Sequence, residues 1–448
     1  MSNLTTSLTL PARIEYARWF SRGRLIALFW IGAITTIVVM LWLGPVGWDA
    51  QGYWKTSLIV HHHVDPYAQD LVALRAFHVR LAADPAEPAP FVYVYSPLTL
   101  SLLRVLAWFP SWLVGLFYGL AIAIGAMLEL WAGYQMADQR ERRWLALLLP
   151  AIVFFPGLVT DDVILSGNVA FVLYGVILAA ATAGWKRGNW SWYYVAVLLA
   201  SVFKAPFLAL LAFPILIEND KRQWVASLTV ACGGVLLFAA QMRFWPAMFR
   251  EQLLSLRLVF DWLHDFGYGP ASVLGRALWQ RGVPSARATA ILYLVSACWL
   301  AIVLLFLANR VRRWNIPRES WVPIALVGTV LLNPRIQKYD LAAITIPMLL
   351  IGWRALRLGW TISLERVSGS SYNAQSEPPW KLIALAAGCL LIPNVITVAG
   401  PVWFPNELMV LLAIFVMGVW SLDHAVAKSS WMPSLVPVID PTAIPALE

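Results

Sequence analysis

The run "LIALFWIGAITTIVVMLWL", Leu25 to Leu43, carries no charged residue and gives way at once to "VGWDAQGYW", Val46 to Trp54. A helix rises about 1.5 Å per residue, so about 20 apolar residues cross a hydrocarbon core ~30 Å thick. The first stretch therefore reads as a membrane anchor. The second places a carboxylate, Asp49, where the chain should leave the bilayer. The anchor is too long for the apolar region of a signal peptide and lacks a small-residue cleavage site, so it is expected to stay in the protein.

The rest of the chain repeats this pattern. Of 448 residues 60% are hydrophobic and 13% charged, and the mean hydropathy is +0.69, well outside the range of soluble domains. Apolar runs of near-spanning length recur as far as residue 424. The expected fold is an all-α polytopic membrane protein with a single transmembrane domain over residues 1–430 and a cytoplasmic tail, 431–448. Cys232, Cys298 and Cys389 all lie in apolar runs, which argues against a disulfide framework or a CxxC metal site. The net charge of +9 is scattered among short loops, so it reads as topology rather than as a nucleic-acid surface.

Positive residues mark cytoplasmic loops. Arg13, Arg18, Arg22 and Arg24 put the N-terminus inside, and the clusters Arg140/Arg142/Arg143, Lys186/Arg187, Lys221/Arg222, Arg310/Arg312/Arg313 and Arg354/Arg357/Arg366 join it there. Residues 45–95 then form a first outer loop and 244–286 a second, while 367–379 is a cytoplasmic linker. Between Lys186 and Lys221 the chain must go out and return, and its only interruption is "VFKAPF", so the turn is expected near Lys204. The same reasoning puts Ser166 to Asn168 and Asn333 to Asp340 outside. Together these turns predict about twelve crossings, with residues 96–109 as a re-entrant or interfacial helix.

Polar residues converge on that outer face: Asp49, Asp65, Tyr93, Tyr95, Lys204, Arg335, Lys338, Tyr339 and Asp340. Lys204 interrupts an apolar hairpin, where a charge is costly and reads as functional. Asp49 and Tyr53 are four apart and share a face if residues 48–60 are helical, with Trp48 and Trp54 holding that helix at the surface. Asp65 in "DPY" reads as an N-cap with Pro66 at the first helical position. Residues 66–82 then form an amphipathic helix lying on the membrane, its stripe being Tyr67, Leu71, Leu74, His78 and Leu81. Consecutive His61, His62 and His63 project about 100° apart on a helix and cannot chelate one ion together. A carboxylate, cations suited to a phosphate, and apolar walls fit group transfer from a lipid phosphate to a hydroxyl.

These elements resemble glycosyltransferase family 87 of the GT-C superfamily. "DAQGY" (Asp49 to Tyr53) resembles the D-x-x-x-Y of the family's first outer loop, "HVDPYAQD" its G-x-x-PY element, and "YVYSPL" (Tyr93 to Leu98) its Y-x-Y-P-P-L strip, with Ser96 at the second proline. "SGNVAFVLYG" resembles the GQ-N-led helix, "FKAPFLALLAFP" the K-x-x-P hairpin, and "NPRIQKYDLAAITIPMLL" the late S-P-x-x-x-x-YDL segment. The match runs in family order over roughly residues 25 to 355.

The resemblance implies a GT-C-like helical bundle and inverting transfer of a sugar, mannose or another hexose or pentose, from a polyprenyl-phosphate donor to a lipid or glycan hydroxyl. The reaction would lie on the extracytoplasmic side of the cytoplasmic membrane. Asp49 maps onto the general base and Lys204 onto the hairpin lysine. Arg335 and Lys338 lie in the segment that meets the donor phosphate, and Tyr53, Asp65, Tyr95, Asn168, Tyr339 and Asp340 complete the substrate site. No cofactor, metal or nucleic acid is expected. Two other readings stand beside this one: a lipid or sugar-phosphate transporter lined by the same charges, and a non-catalytic membrane subunit.

Overall fold

The computed structural model describes residues 47–81, 92–138, 141–142, 166–262, 267–282, 285–368 and 406–431. The Leu25–Leu43 anchor, the basic N-terminus, Asp161, Asp162, Cys389, the linker beyond 368 and the tail beyond 431 lie outside the described residues. All regular structure among the described residues is helical. The order is α1 (Trp48–His61), α2 (Pro66–Leu81), α3 (Pro97–Leu103), α4 (Ser111–Met136), α5 (Val169–Arg187), α6 (Ser191–Phe203), α7 (Ala212–Glu218) and α8 (Lys221–Phe244). There follow α9 (Pro246–Asp261), α10 (Pro270–Gln280), α11 (Ser285–Arg313), α12 (Arg318–Leu331), α13 (Lys338–Ala342), α14 (Thr345–Ser368) and α15 (Asn406–Trp431). Short 3₁₀ turns, Arg104–Trp108 and Ala205–Leu211, follow α3 and precede α7.

Among the described residues four helices are long and apolar enough to cross a membrane: α4, α5, α8 and the Ala288–Arg313 part of α11. This is an all-α membrane protein. Further apolar helices, including Pro97–Trp108 and Ser191–Phe203, are shorter. The expected hairpin at Lys204 is present, with α6 as one leg and the Ala205–Leu211 turn plus α7 as the other.

Lipid contact is written on α4. Trp112, Leu116, Leu120, Ile124, Met127 and Trp131 recur every three or four residues and are exposed, so one apolar stripe faces outward. The opposite stripe is built of small residues. A Cβ placed on Gly175 of α5 would lie 2.7 Å from the backbone oxygen of Gly125 on α4, so the two helices approach backbone to backbone. A Cβ on Gly133 would strike Ile346 of α14 at 2.4 Å. By contrast α12 is buried all round, Trp321 to Leu331 without a break, as the central helix of a bundle must be.

The two ends of the bundle differ. At one, Arg354 makes a bidentate pair with Glu141 (2.6 and 2.7 Å) and also donates to the carbonyls of Met136 and Glu319. Arg318 pairs bidentately with Glu218 at 3.0 Å and reaches the Trp185 carbonyl, while Arg312 reaches that of Asn219. Several of the basic clusters assigned to one side by charge, among them Arg312 and Arg354, thus gather at the end where α4, α5 and α7 finish. The other end carries Asp49, Asn168, Lys204 and Asp340.

The α4–α5 contact is a direct test of this packing. Gly175→Val should lower thermal stability by about 1–3 kcal/mol, the usual cost of overpacking. Gly115→Ala, on the open side of α4 with nothing within 4 Å, should keep or slightly raise the melting temperature. Thermal unfolding of the purified protein in detergent, followed by tryptophan fluorescence, checks both.

Candidate functional site

Gly47, in the left-handed region at φ 76°, turns the chain into α1, and Asp49 falls in the first helical turn. The Asp49 amide donates to the Ser166 carbonyl at 2.7 Å, which docks the start of α1 beside the start of α5. Tyr53 follows one turn later on the same face, as its spacing predicts, and is only 2% exposed.

Asn168 is the hub. As N-cap of α5 its Oδ1 accepts from the Ala170 amide at 3.0 Å, and the same oxygen accepts from Lys204 Nζ at 3.1 Å. Its Nδ2 donates to Asp49 Oδ2 at 2.7 Å and to the Tyr95 hydroxyl at 3.3 Å. One carboxamide therefore joins the carboxylate of the first loop to the lysine of the hairpin. Tyr95 closes the ring by sharing a short hydroxyl–hydroxyl hydrogen bond with Tyr53.

Lys204 ends α6 in extended backbone, which throws its side chain across the bundle. Its Nζ stands 3.9 Å from the centroid of the Tyr339 ring and 5.6 Å from that of Tyr95. Such contacts stabilise a cation held away from water. Asp340, 4% exposed, caps α13 together with Gln337, whose amide donates to Asp340 Oδ2 at 2.8 Å. Burial raises the Asp340 carboxyl above its ordinary value. The Lys204 charge is the main opposing influence, followed by hydrogen bonds from the Gln337 backbone and Tyr174, then Arg335. The Tyr53 and Tyr95 phenols are pushed up chiefly by burial, then by neighbours including Asp49, so both stay protonated donors.

Arg335 is anchored by its amide, which donates to Asn333 Oδ1 at 3.0 Å, and its guanidinium lies 5.8 Å from the Phe260 ring of α9. The Tyr268 amide donates to the Ile336 carbonyl at 2.6 Å, which ties the chain just before α10 to the same turn. Lys338 opens α13, and its side chain lies outside the described residues. The structure thus brings Asp49, Tyr53, Tyr95, Asn168, Lys204, Tyr339 and Asp340 into one neighbourhood, with Arg335 acting on its edge.

Asp65 stands apart from these contacts. It accepts from the Tyr67 amide at 2.9 Å as a cap, and its charged neighbours are Asp70 and Glu251. The stripe of α2 also needs correction: Tyr67, Leu71, Leu74 and Phe77 are buried, whereas His78 is exposed and stacks on Trp262 at 4.5 Å. Phe77, three residues after Leu74, continues the face that His78 leaves by about 100°. That face packs on α9 and the tyrosine cluster rather than lying open to a lipid surface, because α9 supplies an apolar partner.

Some site residues escaped the sequence reading. The Tyr174 side chain hydrogen-bonds with those of Asn333 and Asp340, and Tyr118 packs 6.0 Å from Tyr53. Both sit in apolar runs, where a tyrosine looks like any other spanning residue. Glu129, 7% exposed within α4 and with Oε1 unpartnered, did carry a signal: a carboxylate alone in a span. Comparison of the chain with protein-family models, curated proteins and solved structures returns no match. Among the described residues no group of three His, Cys, Asp or Glu side chains is arranged to hold a metal ion.

Asp70 gives α2 a pH dependence. Its carboxyl accepts from the Tyr93 amide at 2.7 Å and is raised from an ordinary 3.8 to about 7. Burial is the main cause; the Tyr93 bond opposes it and Asp65 adds to it. The folded state thus binds this proton more tightly than the unfolded chain does, so the stabilisation is full below about pH 4 and is lost as pH rises through 7. Amide exchange in α2, corrected for intrinsic rates, should quicken between pH 5 and 8, and Asp70→Asn should flatten that response.

Proposed function

We propose that the chain is a membrane glycosyltransferase that moves a sugar from a polyprenyl-phosphate donor to a lipid or glycan hydroxyl. The reading rests on one observation: the Asn168 carboxamide holds Asp49 on its nitrogen side and Lys204 on its oxygen side. A candidate base and a candidate phosphate-binding cation are thereby fixed one small side chain apart, at one end of an apolar bundle.

In this reaction Asp49 accepts the proton of the acceptor hydroxyl as its oxygen attacks the anomeric carbon. The new carbon–oxygen bond forms while the bond to the lipid phosphate breaks, its electron pair leaving on the phosphate oxygen. Lys204 and Arg335, with Lys338 of the same turn, meet the charge that develops there. Attack from the Asp49 side and departure on the Lys204 side give inversion. The neutral tyrosine hydroxyls of Tyr53 and Tyr95 orient the carboxylate's surroundings without competing for the proton. The apolar helices keep the lipid tail in the bilayer, and the site faces the extracytoplasmic side of the cytoplasmic membrane. The order of motifs that resembles glycosyltransferase family 87 supports the same assignment.

Purified protein in nanodiscs, given radiolabelled polyprenyl-phosphate sugars and a lipid extract, should pass label to an acceptor. Asp49→Asn should slow transfer by about 10²–10⁴-fold with little change in donor affinity. Lys204→Met should lower the rate by about 10²–10³-fold. Undiminished transfer by Asp49→Asn would remove the base, and undiminished transfer by Lys204→Met would remove the phosphate contact.

A further inference from the structure

α9 lies over the outer cluster as a separate piece. Trp245, at φ −136° and ψ 60°, and Pro246 at the first helical position break it from α8. Phe249, Gln252, Ser255 and Val259 form its buried stripe, at spacings of three and four. Two of these four are polar. Gln252 reaches the Val94 carbonyl through Nε2 at 3.4 Å, and Met248 packs on the tyrosine cluster that includes Tyr93 and Tyr95.

Under α9 lie buried polar atoms: among the described residues the Tyr93 hydroxyl, the Gln252 carboxamide oxygen and the Ser255 hydroxyl have no hydrogen-bond partner, in residues only 1%, 3% and 0% exposed. Each has surrendered a bond to water without replacement, so the closed seam is weaker than an apolar one of the same area. Opening it would restore those bonds to water or to a ligand. The set contains two hydroxyls and an amide oxygen, and the Tyr93 ring lies 5.7 Å from that of Tyr67. It fits a neutral group with many hydroxyls and apolar C–H faces; an anion would instead seek Lys204.

We infer that the seam between α9 and the Tyr93–Tyr95 strip opens to seat the carbohydrate head group of the acceptor. The inference rests on the glycosyltransferase reading. Tyr95 separates the seam from Asp49, through its hydroxyl's bonds with Asn168 and Tyr53. A sugar held at Tyr93 and Gln252 would extend one hydroxyl past Tyr95 toward the base.

The test uses the full chain in lipid nanodiscs with methyl α-D-mannopyranoside and methyl β-D-glucopyranoside as probes. At least one should alter amide exchange in α9. Tyr93→Phe and Ser255→Ala should each keep or raise the melting temperature, because an orphaned group is removed, whereas Gln252→Leu also gives up the bond to the Val94 carbonyl; each of the three should weaken glycoside binding roughly fivefold or more. If neither probe changes exchange in α9, or if all three variants bind as the parent does, the inference fails. The label-transfer assay run on the same samples separates the two ideas. Intact transfer with no effect at the seam overturns the seam alone. Glycoside binding that the variants weaken, with no transfer from any donor, sustains the seam as a carbohydrate site and overturns the reaction.

Discussion

Lys204 carries a fixed charge to the tip of an apolar hairpin, and that end of the molecule is organised by the need to solvate the charge without water. A cation at such a place is costly unless dipoles, rings and carboxylates surround it. Here those partners come from widely separated parts of the chain: Asn168 from the start of α5, Tyr95 from the strip before α3, and Tyr339 with Asp340 from the turn after α12. Each partner must be delivered by its own element. The hairpin, the capped start of α5 and the late turn therefore have to meet at one depth, and the glycine contact between α4 and α5 is part of what lets them.

The contrast between the two ends of the bundle follows from what each does with its charges. At the end where α4 and α7 finish, Arg354 with Glu141 and Arg318 with Glu218 are bidentate pairs that also donate to helix carbonyls. At the other end the neutral Asn168 carboxamide bonds to both Asp49 and Lys204 and so holds two opposite charges in register.

The tyrosines give the site its second property. Tyr53, Tyr67, Tyr93 and Tyr95 are buried, with phenols held protonated by burial and by neighbouring carboxylates and hydroxyls. They supply donors and acceptors in a setting where a charged side chain would need a counter-ion. The same cluster joins α1, α2 and α9, so these helices are attached to one another through aromatic and hydroxyl contacts. That is a looser attachment than the close-packed contact of α12, buried from Trp321 to Leu331, and the unsatisfied groups under α9 are its clearest mark.

Much of this was legible in the residues themselves. Apolar length, the scatter of arginines and lysines, the helical spacing of Asp49 and Tyr53, the cap at Asp65 and the turn at Lys204 each follow from local chemistry, because hydrocarbon thickness and helical period act on neighbouring residues alone. Charge pattern also grouped Arg312 and Arg354, which both lie at one end of the bundle. Other features depended on which helix faces which. That Asn168 would sit between Asp49 and Lys204, that α2 would turn its stripe toward α9, and that Tyr118, Tyr174 and Glu129 would point inward from apolar runs were all decided by packing. The sequence by itself determined a helical membrane protein with polar groups on one face. Only the tertiary structure decided their partners, since a hydrogen bond between residues more than a hundred positions apart leaves no period or spacing in the chain.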